Sequence, residues 1–493
     1  MLKYFLLLFI FYNILDKMYE HCGVIGVYSL EGQNIVSMLL LGLQAQQHRG
    51  QETWGIAVPS HLLKRTGVIS LSIEKEPRIT SCLNGHVGIG HVRYSTTAKS
   101  VLRNAHPLQI GEPGDINSFK IAHNGTLERG LLISGLEKLG VKSPSGLTDT
   151  ELMGIGLYQN LRKGKTWTEA FESLNPYLNG SFSVVILTGK GELIVARDEK
   201  GFRPLCLGWH QETSSHIVAS ESCALDALNA QLIRDVQPGE ILKIDKEGVL
   251  TDNFSVQVEH SHCPFEYTYF AHPTSRIEGI NVYMARKNIG IVLAEKYFVD
   301  ADIVVPVPDS ARPAALGYSE RSGIPFEEGL MKDRYRKKGS WRSFIEPKKR
   351  EEVVSNIVEV KEVVENRRIV LIDDSIVRGT SSKIIVNKLR NAKDVSLLLT
   401  FPPILYPCYM GIDFPTQREL LAYRVSGTRK SLEEINKAVA KYIGVRFLGY
   451  NDVDGLCKGI GMPKSELCLS CVTGNYACLS RKPEFKTRKE VKF

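Results

Sequence analysis

The chain has 493 residues, enough for two domains or three small ones, each able to bury a proper core. Its 62 basic and 54 acidic side chains leave a formal charge of +8, too mild for a nucleic-acid coat and suited to small anionic substrates. Ten cysteines in so long a chain exclude a disulfide scaffold and favour a reducing compartment, the cytoplasm.

In chain order, residues 3–15 form an apolar run of signal-peptide length with one positive charge at its start, too short for a membrane span of ~20 residues. Tyr19-Glu20-His21 offers no small-residue cleavage site. Residues 1–21 are therefore expected to be a leader or a misassigned start, with Met18 as the initiator. Cys22 follows. As a plain residue it reads as a small buried cysteine at a strand start. As the first residue it carries its own base, an α-amine of pKa about 7.7–8.0, which could turn the thiol into a nucleophile.

Gly23-Val-Ile-Gly26-Val-Tyr28 reads as a strand whose glycines admit close backbone approach. Residues 34–47 read as an apolar helix ending in the polar loop His48-Arg49-Gly50-Gln51-Glu52. Gly88-Ile-Gly-His-Val-Arg93-Tyr-Ser-Thr-Thr97, Ile121-Ala-His-Asn124-Gly125-Thr126 and Leu147-Thr-Asp149-Thr-Glu151 each set a short apolar strand against a polar turn. Asn124-Gly125 is open to two readings. It is a hairpin turn, or it is an oxyanion hole in which an amide side chain and a backbone N–H face one developing charge. From residue 180 to 221 short apolar strands alternate with turns.

In this order CGVIG, QHRGQE, GHVRYST, HNGT and TDTE resemble the glutamine amidotransferase domain of the N-terminal nucleophile hydrolases. The resemblance implies an αββα glutaminase domain over residues 22–255. In it Cys22, its α-amine freed, attacks the glutamine side-chain amide, and Asn124 with the Gly125 amide holds the oxyanion. Arg93 would pair with the glutamine carboxylate and Asp149 with its α-ammonium, while Arg49 helps close the site. The family usually has glycine where this chain has Ala98.

In the second half, Arg368-Ile-Val-Leu-Ile-Asp373-Asp374 reads as a buried strand ending in two carboxylates. A Gly379 turn follows, and then helical composition over residues 380–391. Strand, loop and helix N-terminus offer backbone N–H groups to a phosphate. The carboxylates would repel that phosphate, so they serve ribose hydroxyls or a hydrated Mg²⁺; as a plain alternative they cap the helix. The run resembles the phosphoribosyl pyrophosphate signature of type I phosphoribosyltransferases, an α/β fold expected over residues 256–485. By that resemblance Asp373 and Asp374 hold ribose and metal, and Ser375, Ile376, Val377, Arg378, Gly379 and Thr380 hold the 5′-phosphate. Upstream, Ile303-Val-Val-Pro306-Val-Pro-Asp309-Ser310 is a second strand and turn, and Ser310 joins the metal site by the same resemblance, although Ala311 replaces the usual glycine.

The basic stretch from Met331 to Ile345 is a solvated charge run or a lid over a pyrophosphate leaving group. The family's loop carries over onto Lys332, Arg334 and Tyr335, and loosely onto Arg342. Cys468-Leu-Ser-Cys471 has metal-knuckle spacing, for which Zn²⁺ is the default. In amidophosphoribosyltransferases that carry a [4Fe–4S] cluster, the ligands occur in the contexts of Cys263, Cys408, Cys468 and Cys471 here. Cys82, Cys206, Cys223, Cys457 and Cys478 have no such context. Relatives generally have Arg and Asp where this chain has His272 and Thr274.

From Met18 to about Tyr476 the chain resembles the amidophosphoribosyltransferase family of the [4Fe–4S] type, with a basic tail at 486–493. The resemblance implies that glutamine, phosphoribosyl pyrophosphate and Mg²⁺ are converted to 5-phosphoribosylamine, glutamate and pyrophosphate, the entry to purine synthesis. It also implies a channel for ammonia, feedback by purine nucleotides and a homotetramer, with no membrane or nucleic-acid partner. Glucosamine-phosphate synthase would need a sugar isomerase half, and asparagine synthetase an ATP-pyrophosphatase loop. A regulator that keeps the phosphoribosyltransferase fold but binds nucleic acid is the rival from another class; it predicts salt-sensitive binding and indifference to Cys22.

Overall fold

The computed structural model describes residues 21–76, 78–81, 83–94, 102–112, 114–141, 146–255, 259–333, 356–412, 414, 416–427, 431–476 and 479. Expectations for the leader before His21, for residues 95–97 and Ala98, for Arg334, Tyr335, residues 337–341 and Arg342, for Cys82 and Cys478 and for the 486–493 tail lie outside them.

Among the described residues the first half builds two antiparallel sheets from thirteen strands: β1 (His21–Ser29), β2 (Thr53–Ala57), β3 (Leu62–Thr66), β4 (Val87–Tyr94), β5 (Leu108–Ile110), β6 (Phe119–Leu127), β7 (Gly180–Thr188), β8 (Leu193–Arg197), β9 (Cys206–His210), β10 (Ser215–Ala219), β11 (Gln231–Asp235), β12 (Glu240–Asp245) and β13 (Gly248–Asn253). One sheet runs β11-β9-β10-β1-β4-β2-β3 and the other β13-β12-β8-β7-β6-β5. Side chains alternate across a strand. On β1, Val24 enters the core between the sheets with Val185 and Val195, while Ile25 and Val27 pack outward with Leu39 and Leu43 of the helix Val36–Ala45. Helices Arg129–Lys138, Asp149–Arg162 and Trp167–Leu174 cover the other sheet through Leu136, Leu157 and Phe171. The result is the expected αββα sandwich.

The second half centres on a parallel sheet of Ile303–Pro306, Arg368–Asp373, Asp394–Leu399 and Phe447–Tyr450, in that spatial order. Its strands read as unbroken apolar runs because both faces are covered. Val305, Leu371 and Leu397 pack to one side; Val304, Val370 and Leu398 pack to the other. A further core gathers Phe202 of the sandwich and the segment after it, with Phe265 and Phe270, against Phe401, Phe414, Cys408, Cys468 and Tyr476. Among the described residues no helix is long and apolar enough to cross a membrane.

Candidate active sites

Cys22 is fully buried on β1, where it pairs in register with Arg93 of β4. The neighbouring β2 sets Thr53 opposite the same Arg93. Gly50 of the His48-Arg49-Gly50 loop lies directly on that strand: a Cβ there would stand 2.5 Å from the Arg93 nitrogen. Glycine is thus required for the loop to approach the strand beside Cys22. The Arg93 guanidinium is buried and donates from Nη1 to the Asn104 carbonyl at 2.8 Å.

Asn124-Gly125 is no hairpin turn, because both residues lie within β6 and pair with Ser183 and Phe182 of β7. The strong local turn signal loses to the ladder. Gly125 has φ +155, and a Cβ there would meet the Ser181 carbonyl at 2.1 Å. Asn124 is fully buried, and among the described residues neither of its amide atoms has a hydrogen-bond partner. Buried polar atoms are ordinarily satisfied, so this amide is one that a ligand could complete. Asp149 opens the helix Asp149–Arg162 behind a capping box of Thr148 and Glu151. Its oxygens accept from Leu127 N at 2.9 Å and Thr150 N at 2.8 Å. Burial pushes its carboxyl above the usual range against those hydrogen bonds and the nearby Arg93.

Arg49, expected to help close the site over glutamine, instead faces inward. Its Nε donates to the Cys22 carbonyl at 2.9 Å, Nη1 reaches Glu221, and Nη1 and Nη2 grip Glu266 at 3.0 and 2.8 Å. Glu221 also accepts from Ser275 Oγ and the His272 N–H, each at 2.7 Å, and lies 2.7 Å from His48 Nε2. Burial opposes its charge, yet His48 and Arg49 hold it well below the usual range. Reading the chain missed this network because Glu221 and Glu266 stand 172 and 217 residues from Arg49, with no local spacing to reveal them.

Asp373 ends its strand and Asp374 follows it, while Gly379 at φ +82 caps the helix Thr380–Lys388. The plain reading of the carboxylates as helix caps therefore fails. Residues 373–380 line a cavity of about 560 Å³ together with Ser310 and Lys332. Gln47, His48 and Gln51 of the first half line it too. Ser310 Oγ donates to Asp374 at 2.7 Å, and Lys332 Nζ pairs with Asp309 at 2.5 Å. Arg378 is held by Glu419 at 2.8 Å. Burial raises both aspartates, Asp373 further through the charge of Asp374. Two buried like charges with a hydroxyl beside them fit a hydrated Mg²⁺, which takes one or two carboxylates plus substrate oxygens.

Cys408 and Cys468 are buried in one core, with Cys263 and Cys471 packed against it. Cys408 Sγ accepts backbone N–H groups of Met410 and Ile412, each at 3.4 Å, the environment of a cluster thiolate. Among the described residues no three His, Cys, Asp or Glu side chains are grouped to hold a metal ion; the thiols share a core without closing a ligand set. Burial pushes the Cys263 thiol up to about 12. Cys206 and Cys223 are simply buried. His272 and Thr274 pair with each other, Nδ1 to Oγ1 at 2.8 Å.

The family described as a glutamine amidotransferase domain matches residues 105–227. The amidophosphoribosyltransferase of Methanocaldococcus jannaschii is 40% identical over 480 residues, covering 92% of this chain and 97% of that protein. That of Bacillus subtilis is 39% identical, covering 93% and 94%. Among solved structures, the B. subtilis glutamine phosphoribosylpyrophosphate amidotransferase complexed with ADP and GMP superposes with a TM-score of 0.79 at 38% identity, covering 92% of this chain and 97% of that one.

Proposed function

The chain belongs to the amidophosphoribosyltransferase family, and from that premise we infer that it transfers ammonia from glutamine to 5-phosphoribosyl 1-pyrophosphate, the first step of purine biosynthesis. The observation that carries the reading is the shared cavity: Gln47, His48 and Gln51, on the loop that grips the nucleophile strand, line the same space as Asp373 to Thr380.

In this reading Cys22 Sγ attacks the side-chain carbonyl carbon of glutamine. Its own α-amine, freed by removal of everything before it, takes the thiol proton and passes it to the departing ammonia. Asn124 Nδ2 and the Gly125 N–H stabilise the oxyanion; removing one such donor costs ~10²–10³ in rate. Water then releases glutamate from the thioester. Arg93 and Asp149 hold the carboxylate and ammonium of glutamine, and Arg49 acts from behind by fixing the Cys22 carbonyl. In the second half the ammonia nitrogen attacks C1 of the ribose and pyrophosphate leaves. Residues 375–380 hold the 5′-phosphate at the helix N-terminus, while Lys332 with Arg334 and Tyr335 covers the pyrophosphate and excludes water. Asp373, Asp374 and Ser310 would hold Mg²⁺, which neutralises charge on the pyrophosphate when bound. Cys263, Cys408, Cys468 and Cys471 would hold a [4Fe–4S] cluster, which ties the segment after the sandwich to the C-terminal tail.

A cytoplasmic homotetramer under purine-nucleotide feedback completes the proposal; of these three, only the nucleotide binding has support, from the relative solved with ADP and GMP. The nucleic-acid regulator is not favoured, since the relatives named above are enzymes over nearly their whole length. Cys22→Ala tests the mechanism: glutamine-dependent pyrophosphate release should vanish while release with free ammonia persists. Glutamine-dependent release by that variant would sink it. Intact mass of the native enzyme should place Cys22 at the terminus.

A further inference from the structure

β5 begins at Leu108, paired with Ile121 of β6. Continued by two positions, that register would set residue 106 opposite residue 123, but there the ladder stops. The backbone of His123, immediately before the two proposed oxyanion donors, needs partners from elsewhere on this edge. Two imidazoles supply them. The His123 N–H donates to His106 Nδ1 at 3.2 Å, and the His123 carbonyl lies 3.0 Å from His91 Nε2. An amide N–H can only donate and a carbonyl only accept, so His106 Nδ1 is bare and His91 Nε2 carries the hydrogen. All three histidines are buried, and the rings of His91 and His106 stand 4.5 Å apart.

We propose that His91 and His106 are positioning residues of the glutamine half-reaction, standing in for a missing strand so that His123, and with it Asn124 and Gly125, is fixed relative to Cys22. The inference rests on the reading of Asn124 and Gly125 as oxyanion donors. His91 is placed to transmit position. It lies on β4, opposite Val24 of β1 and two residues before Arg93, which faces Cys22. One side chain therefore refers the oxyanion strand to the sheet of the nucleophile. Gly55, paired with His91, leaves room for the backbone of His106: a Cβ on Gly55 would lie 2.4 Å from the His106 carbonyl. His123 turns its own Nδ1 to Thr150 Oγ1 at 2.9 Å, and Thr150 N–H holds Asp149, so the same residue also braces the expected ammonium site. Burial lowers the His91 pKa to about 3 and His106 well below the ordinary range. Both rings thus keep the bare nitrogen and the N–H that the arrangement needs.

The test compares His91→Leu, His91→Gln, His106→Leu and Asn124→Ala in the processed full-length enzyme. A displaced oxyanion strand predicts a glutamine-dependent kcat lower by ~10²-fold in both Leu variants, the scale of an ~1 Å misplacement. The ammonia-dependent activity and the rate of Cys22 alkylation by iodoacetamide should stay near wild type, because neither uses the oxyanion donors. Gln offers an N–H at similar reach, and His91→Gln should recover most of the loss. Unchanged kcat in the Leu variants would overturn the proposal, as would equal loss of the ammonia activity, which marks a fold-wide role. Failure of His91→Gln to exceed His91→Leu would do the same. Full glutamine activity in Asn124→Ala would instead remove the oxyanion reading beneath it.

Discussion

A guanidinium buried as deeply as Arg49 survives only if its charge is answered on the spot. Glu266 and Glu221 do so, and Arg203 shares Glu266 at 3.1 Å. Breaking such a network from one side leaves an uncompensated charge rather than a lost contact. Glu266→Gln is therefore expected to cost about 3–5 kcal/mol, read as a lower urea midpoint, with glutamine-dependent turnover falling more than ammonia-dependent turnover. His91 gives a prediction in pH. Its pKa is about 3 when folded against 6.5 when free, so below pH 6.5 the unfolded chain binds the proton that the folded chain refuses. Stability is lost as pH falls. Between pH 7 and 5 the loss from this one ring is about 2 kcal/mol. His91→Gln should lose less stability than wild type over that interval by this amount in urea titrations at the two pH values. Asp198 and Asp235, raised to about 6 by burial, act with the opposite sign and are common to both proteins.

At the scale of elements, the turn between strand and helix decides where a phosphate can sit. Gly379 adopts φ +82, and a Cβ there would meet Leu421 Cδ2 at 2.5 Å. Gly379→Ala should destabilise by about 1–2 kcal/mol, the left-handed penalty, and raise the KM for phosphoribosyl pyrophosphate with the glutaminase half intact. Steady-state kinetics with glutamine and with ammonia separate the two effects. A second element joins the halves. The π-helical turn Glu266–Phe270 presents Glu266 to Arg49 at one end, while Tyr269, Phe270 and Ala271 line the cavity of Asp373 and Asp374. Arg286 pins it from behind through the carbonyls of Tyr267 and Ala271, each at 2.8 Å. Single π turns recur at functional sites because the extra residue redirects side chains. Here the turn is a short path from the strand of Cys22 to the cavity that Asp373 and Asp374 line.

Over the whole molecule the halves are locked by contacts remote in sequence. Arg203 Nη2 and Ser181 Oγ both donate to the Met410 carbonyl, at 2.8 and 2.9 Å. Met410 follows Cys408 by two residues and donates its own N–H to that sulfur. The thiol core therefore lies beside the domain junction, where a cluster would stiffen both. Protein purified without oxygen should be brown and contain iron and sulfide in equal amounts, about four of each per chain. Colourless active protein with stoichiometric zinc would defeat that assignment.

Much was legible in the sequence because the informative residues are local. Cys22-Gly23 opening a strand, Asn124-Gly125 in an apolar run and Asp373-Asp374 before a glycine turn each keep their chemistry within a few positions. The predicted helix over 34–47 appears as Val36–Ala45, and the strand before Asp373 as Arg368–Asp373. Local signal misled where a ladder was at stake: Asn124-Gly125 has turn composition, and only pairing with β7 makes it strand. It was silent on Glu221, Glu266 and Arg286, and on the partnership of His91 and His106 with His123. Those residues act through partners brought near by the packing of two sheets and two domains, and a buried charge or a bare imidazole nitrogen has no spacing to announce it. The sequence by itself determined the chemical groups and the order in which they occur; the tertiary structure decided which of them meet, because burial and hydrogen-bond completion are properties of the assembled core.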